Sequence, residues 1–176
     1  MTPEALANLK ELELPGRDGP KQKEVLIVWD IENCRIPVGV PAREVEKAIS
    51  NAFLYLHRRK KAGFACSISE ESLAALSSAY GRPDADYLKT HTKMVMAAGG
   101  GKYKSSDTKL LEEIESFVVR QSRDDRTAQS VLVVITGDGD FTKAILQAMD
   151  QGMDLEVLHP LGMTSRNLLW VIWGGV

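Results

Sequence analysis

The stretch VLIVWDIENCRIP, Val25 to Pro37, runs five apolar residues together and then presents Asp30, Glu32 and Asn33. A continuous apolar run without polar alternation marks a strand buried on both faces, as in a parallel sheet. Its abrupt end has two readings. Strands must turn, and polar residues favour turns; or the strand end displays functional groups, as strand ends in α/β proteins do. The same texture recurs downstream, where FACSI (64–68), TKMVMA (92–97), SVLVVIT (130–136) and DLEVLH (154–159) read as further strands. Helical patterns fill the gaps. Residues 41–63 place Val45, Ile49, Ala52, Phe53 and Leu56 on one face, with Gly63 as the stop. Ser69 caps a helix over 70–81, and 107–122 carries Leu110, Leu111, Ile114, Phe117 and Val118. A helix over 142–152 follows the turn GDGDF, and a last one begins near Thr164. Alternating strands and helices imply parallel strands joined by crossover helices. The class is α/β: a doubly wound, mostly parallel five-stranded sheet with helices on both faces.

A chain of 176 residues, 44% hydrophobic, suits one domain with a substantial core. We assign that domain to 24–176, after a polar leader over 1–23. Twenty-two Lys and Arg against 24 Asp and Glu leave a net charge of -2, so no basic field advertises a polyanion. Such a partner must be held locally, by a patch or by metal ions. Two cysteines, Cys34 and Cys66, are too few for a secreted disulfide framework, and the leader has acids and prolines where a signal peptide has an apolar core. The expected location is intracellular, cytoplasmic before organellar or nuclear. No run approaches the ~18 apolar residues of a membrane span. The terminal LLWVIWGGV is expected to pack on the domain or to mark a cut from a longer chain, and Trp170 and Trp173 to close the core. A homodimer, or partner domains in a longer chain, stays open.

Right-handed crossovers bring the carboxyl ends of all parallel strands to one edge, where ligand crevices form. Asp30 ends the first strand, Asp138 and Asp140 follow the fourth, and Asp107 lies in the first turn of the helix after the third. Three segments thus deliver carboxylates to one edge. Clustered carboxylates repel and call for a cation, and oxygen donors without neighbouring His or Cys favour Mg2+ or Mn2+ over zinc. His57, His91 and His159 are scattered without metal spacing. Each acid also has a structural explanation. Asp30 could cap a turn; Asp107 could be an ordinary acid at a helix start; Asp138, between Gly137 and Gly139, could be a plain strand-to-helix turn with Asp140 as cap. The glycines would let a ligand approach the backbone. In the glycine-rich loop Lys102 and Lys104 flank Tyr103, a combination suited to phosphate contact and base stacking. HRRKK (57–61) reads as a solvated cationic helix end pointing away from the crevice.

VLIVWDIENCRIP, SSDTKLLEEI and VLVVITGDGDF, in this order and at these separations, resemble the NYN domain of PIN-like ribonucleases, most closely the nuclease domain of the meiosis regulator and mRNA stability factor (limkain b) group. The resemblance spans about Glu24 to Pro160. It implies strand order 3-2-1-4-5 and metal-dependent endonucleolytic cleavage of single-stranded RNA. Carried over, Asp30, Asp107 and Asp138 match the catalytic, metal-binding acids, with Asp140 assisting and Asn33 as the supporting amide. One position departs: Ser67 stands where the limkain-like domain has a further acid at the end of strand two. Two rivals remain. One is a catalytically weak or inactive module that keeps the fold for RNA or protein contact. The other is a haloacid-dehalogenase-type phosphatase with Asp30 as nucleophile, disfavoured because Glu32, Asn33 and Cys34 occupy the places of its second acid motif.

Overall fold

The computed structural model of the chain describes residues 22–55, 57–96 and 105–173. Five strands, β1 (Glu24–Asp30), β2 (Lys60–Ile68), β3 (Lys93–Met96), β4 (Ser130–Ile135) and β5 (Asp154–Leu158), form one all-parallel sheet in the order β3-β2-β1-β4-β5. Helices α1 (Ala42–Ser50), α2 (Glu70–Tyr80), α3 (Arg82–His91), α4 (Ser105–Arg123), α5 (Thr142–Asp150) and α6 (Arg166–Ile172) supply the crossovers and cover both faces. Among the described residues no helix is long and apolar enough to cross a membrane.

Alternation along the central strand builds two cores. Val25, Ile27 and Trp29 of β1 join Phe53, Phe64, Cys66 and Leu88 on one side. Leu26 and Val28 join Ile114, Phe117, Leu132, Val134, Phe141 and Leu168 on the other. Successive side chains of a strand point to opposite faces, so Asp30 emerges on the face of Leu26 and Val28, which α4, α5 and α6 cover.

The first crossover departs from the sequence reading. Helix α1 ends at Ser50, a widened π turn spans Asn51–Tyr55, and Lys60 is already paired with Glu24. Gly63 therefore stops no helix but lies inside β2. It follows a bulge at Ala62, where the register moves from Val25↔Lys61 to Leu26↔Gly63, and a Cβ there would stand 3.0 Å from Leu26 Cδ1. The cationic run finds acidic partners on other strands: Arg59 pairs with Glu156 of β5, and Lys60 Nζ lies 3.0 Å from Glu24 Oε1 of the adjacent β1.

Helix α3, which the sequence reading left unassigned, has a structural task. Its buried Asp84 accepts hydrogen bonds from the backbone N–H groups of Ala42 (2.6 Å) and Arg43 (3.3 Å) and so caps α1, whose own N-cap position is Pro41. Ser69 caps α2 as expected, accepting from Ser72 N at 3.0 Å. Trp170 and Trp173 overturn their expectation: they are 61% and 73% exposed, because Leu168 and Val171 occupy the core side of α6.

Candidate functional site

Register and alternation place three polar side chains together at the carboxyl edge of the sheet. Asp30 pairs with Ser67 across β1 and β2, and Thr136 follows Ile135, the partner of Trp29. All three are fully buried. Asp30 Oδ2 accepts from Thr136 Oγ1 and from Asn33 Nδ2, both at 2.8 Å. Among the described residues, its Oδ1 receives longer contacts, from Asn33 N at 3.3 Å and Ser67 Oγ at 3.5 Å. One oxygen is thus held firmly, and the other keeps acceptor capacity.

Thr136 is the residue the sequence reading missed. Its Oγ1 donates to Asp30 and accepts from the backbone N–H of Asp138 at 3.0 Å, coupling the ends of β1 and β4 through one hydroxyl. The signal that could have found it is parity: Leu132, Val134 and Thr136 share the strand face of Asp30. Asp138, half-buried, accepts from Asp140 N at 3.0 Å and caps a short turn over Gly139–Phe141, while Asp140 is exposed. The flanking glycines serve packing. A Cβ on Gly139 would stand 2.5 Å from Ser165 Oγ and one on Gly137 3.1 Å from Pro160 Cγ, and Gly137 O accepts from Ser165 N at 2.8 Å. The side of this turn that the missing Cβ atoms leave free is filled by the loop that leads into α6, while Gly139 and Asp140 line an open cavity on another side.

Asp107, half-buried in the first turn of α4, carries the electrostatic signature of the site. Burial, and then the charges of Asp30, Asp138, Asp140 and Glu32, push its carboxyl up to about 6. Glu32 is committed elsewhere: it accepts from Ser69 N at 2.7 Å and Ser72 Oγ at 3.2 Å, tying the β1 loop to α2. Burial would raise its carboxyl, but these hydrogen bonds outweigh that and hold it low.

Neither thiol is activated. Cys34 is raised by burial and by Asp30, and Cys66 is pushed up to about 11 by burial, beside the Thr92 hydroxyl at 3.0 Å. His91 stacks on Tyr87, and His159 bonds Thr164 Oγ1 at 2.8 Å. The donors gathered at the edge are all oxygens, a set suited to Mg2+ or Mn2+. Among the described residues, no three His, Cys, Asp or Glu converge closely enough to clasp one ion. The acids therefore fit a hard cation by chemistry and by mutual repulsion, without forming a closed cage. Lys102, Tyr103 and Lys104, the expected RNA contacts, lie outside the described residues.

Comparison with known proteins gives the NYN domain as the family whose sequence profile matches, over residues 24–170. No curated protein matches the chain. Among solved structures, a protein of unknown function from Vibrio parahaemolyticus is similar over 85% of this chain and 89% of its own, with a TM-score of 0.56 at 13% identity. At that identity the likeness speaks for the fold alone.

Proposed function

Because the chain belongs to the NYN domain family, a nuclease-like group with the PIN-like fold, we propose that it is a metal-dependent endoribonuclease acting on single-stranded RNA. Within the family we read it as nearest the limkain b nuclease domains, on the strength of the strand end Trp29–Cys34. Its place of action on this reading is intracellular, in the cytoplasm, where the free Cys34 and Cys66 stay reduced.

Asp30, Asp107 and Asp138 would hold one or two Mg2+ or Mn2+ ions, with Asp140 assisting. A bound ion of this kind lowers the pKa of its water, polarises the phosphodiester and steadies the leaving oxygen. The chain's own residues prepare the ground. Thr136 and Asn33 fix one oxygen of Asp30 and leave the other available. Asp107 keeps a proton up to about pH 6 and gives it up when positive charge arrives beside it.

The observation that carries the reading is the convergence on Asp107: besides burial, acids from two other segments, Asp30 and Glu32 after β1 and Asp138 and Asp140 after β4, act on its one carboxyl, an arrangement costly for stability unless a cation uses it. The test is a labelled single-stranded RNA incubated with the protein in Mn2+ and in chelator. Cleavage in Mn2+ that chelator stops and Asp138→Asn abolishes is expected; undiminished cleavage by Asp138→Asn at saturating Mn2+ removes Asp138 from the site. A second reading, a catalytically weak RNA- or protein-binding module, is favoured by the neutral Ser67 against Asp30 and by the open arrangement of the acids. RNA binding without cleavage in any metal would establish it.

A further inference from the structure

Helix α6 is built with its tryptophans outward. Leu168 and Val171 face the core, while Arg166, Trp170 and Trp173, at spacings of four and three, share the solvent side. Leu161 and Met163, 93% and 75% exposed, lie in the turn that precedes the helix. Exposed large side chains scattered singly need no explanation, but two tryptophans on one side of a short helix form a surface suited to contact. Its position bears on what that contact is. The stripe begins one residue beyond Ser165, whose N–H donates to Gly137 O at 2.8 Å and whose hydroxyl fills the space beside Gly139. The start of α6 is thereby locked to the turn that carries Asp138 and Asp140.

From this juxtaposition we propose that Trp170 and Trp173 form a stacking platform for unpaired bases of the RNA strand whose backbone reaches the Asp138 turn, with Arg166 contacting a phosphate. The inference rests on the nuclease reading for its substrate and adds the surface that holds it. A chain of net charge -2, with acids at its site, draws little affinity for RNA from its overall field. Stacking supplies affinity without that field and tolerates any base, since every base has a π face. The salt dependence of binding should accordingly be shallow, because few phosphates are neutralised.

The chain has three tryptophans, and Trp29 is only 1% exposed, so its exposed indole fluorescence reports this platform directly. In chelator, where no cleavage occurs, a short single-stranded RNA should quench it, and a duplex should quench it less. Trp170→Ala and Trp173→Ala should each weaken binding about tenfold, with Trp→Phe at either position restoring most of the loss. In Mn2+ the alanine variants should raise KM and leave kcat near wild type. Undiminished RNA affinity in the double alanine variant overturns the proposal. So does a wild-type dimer that the double variant converts to monomers with RNA affinity intact, which would assign the surface to a second copy. Quenching by RNA in a protein that cuts none keeps the platform and removes the nuclease; cleavage with unchanged KM in the double variant does the reverse.

Discussion

At the scale of single residues, the site is a balance between one acid that is satisfied and one that is not. Asp30 is buried, yet four contacts from Asn33, Thr136 and Ser67 meet its charge. Asp107 is half-buried and meets acids instead, so its carboxyl rises from 3.8 to about 6. Below pH 3.8 it is neutral folded or unfolded and has no effect on stability. As pH rises towards 6 the unfolded chain ionises first, the folded state binds more protons, and stability falls; above 6 the full penalty stands. After allowance for solvent screening that penalty is about 1–2 kcal/mol. Asp107→Asn should therefore melt some ~2–8 °C above wild type at pH 7.5 in chelator, and at the wild-type temperature near pH 4. Equal melting at both pH values would mean that the neighbouring acids exert no pressure on this position. Thr136 lies beside this balance as its mechanical link, a hydroxyl bound to Asp30 on one side and to the Asp138 backbone on the other.

At the scale of elements, the strands were legible wherever the apolar run was unbroken, as in Val25 to Trp29 and Val131 to Ile135, because burial on both faces leaves no competing pattern. The first crossover was not, since Arg59 and Lys60 look like a helix end until their partners Glu156 on β5 and Glu24 on β1 are known. The same lack of long-range knowledge hid α3 and the cap it provides. It also made core residues of Trp170 and Trp173, whose apolar character carries no information about which side of a short helix the sheet covers. The acids at the carboxyl edge were legible because topology alone takes strand ends there; Thr136 needed the register as well. Asp84 offers a test of this level. It caps α1 from another helix and is nearly inaccessible to solvent, so Asp84→Ala leaves two backbone N–H groups without their partner. Loss of an N-cap costs about 1–2 kcal/mol, and chemical denaturation should show a lowered midpoint with an unchanged slope. RNA cleavage by the folded fraction should stay at the wild-type level, since α1 lies across the sheet from the acids. An unchanged midpoint would mean that α1 holds without this contact.

At the scale of the whole molecule, the sheet that makes the fold stable is also what forces the charges together, because parallel register brings Asp30 and position 67 side by side. In this chain position 67 is a serine whose hydroxyl faces Asp30 at 3.5 Å, so the central pair of strands carries one charge at its carboxyl end. Ser67→Asp would add a second, at about the ~5 Å spacing of neighbouring strands. At an effective dielectric constant of ~20, two like charges at that distance cost about 3 kcal/mol, beyond the cost of burying the new carboxylate. In chelator the variant should therefore melt well below wild type. A divalent cation at this edge cancels the repulsion and gains a charged donor, and ligands that bind only the folded state raise its stability with concentration. We accordingly expect Mn2+ to raise the melting temperature of Ser67→Asp much more than that of wild type, closing most of the gap, and to lower the metal concentration at which RNA is cut. A variant destabilised equally with and without Mn2+ would show that no cation reaches Asp30. The hydroxyl at position 67 would then read as the mark of a fold kept for binding, with Asp30 held by its hydrogen bonds as a structural acid.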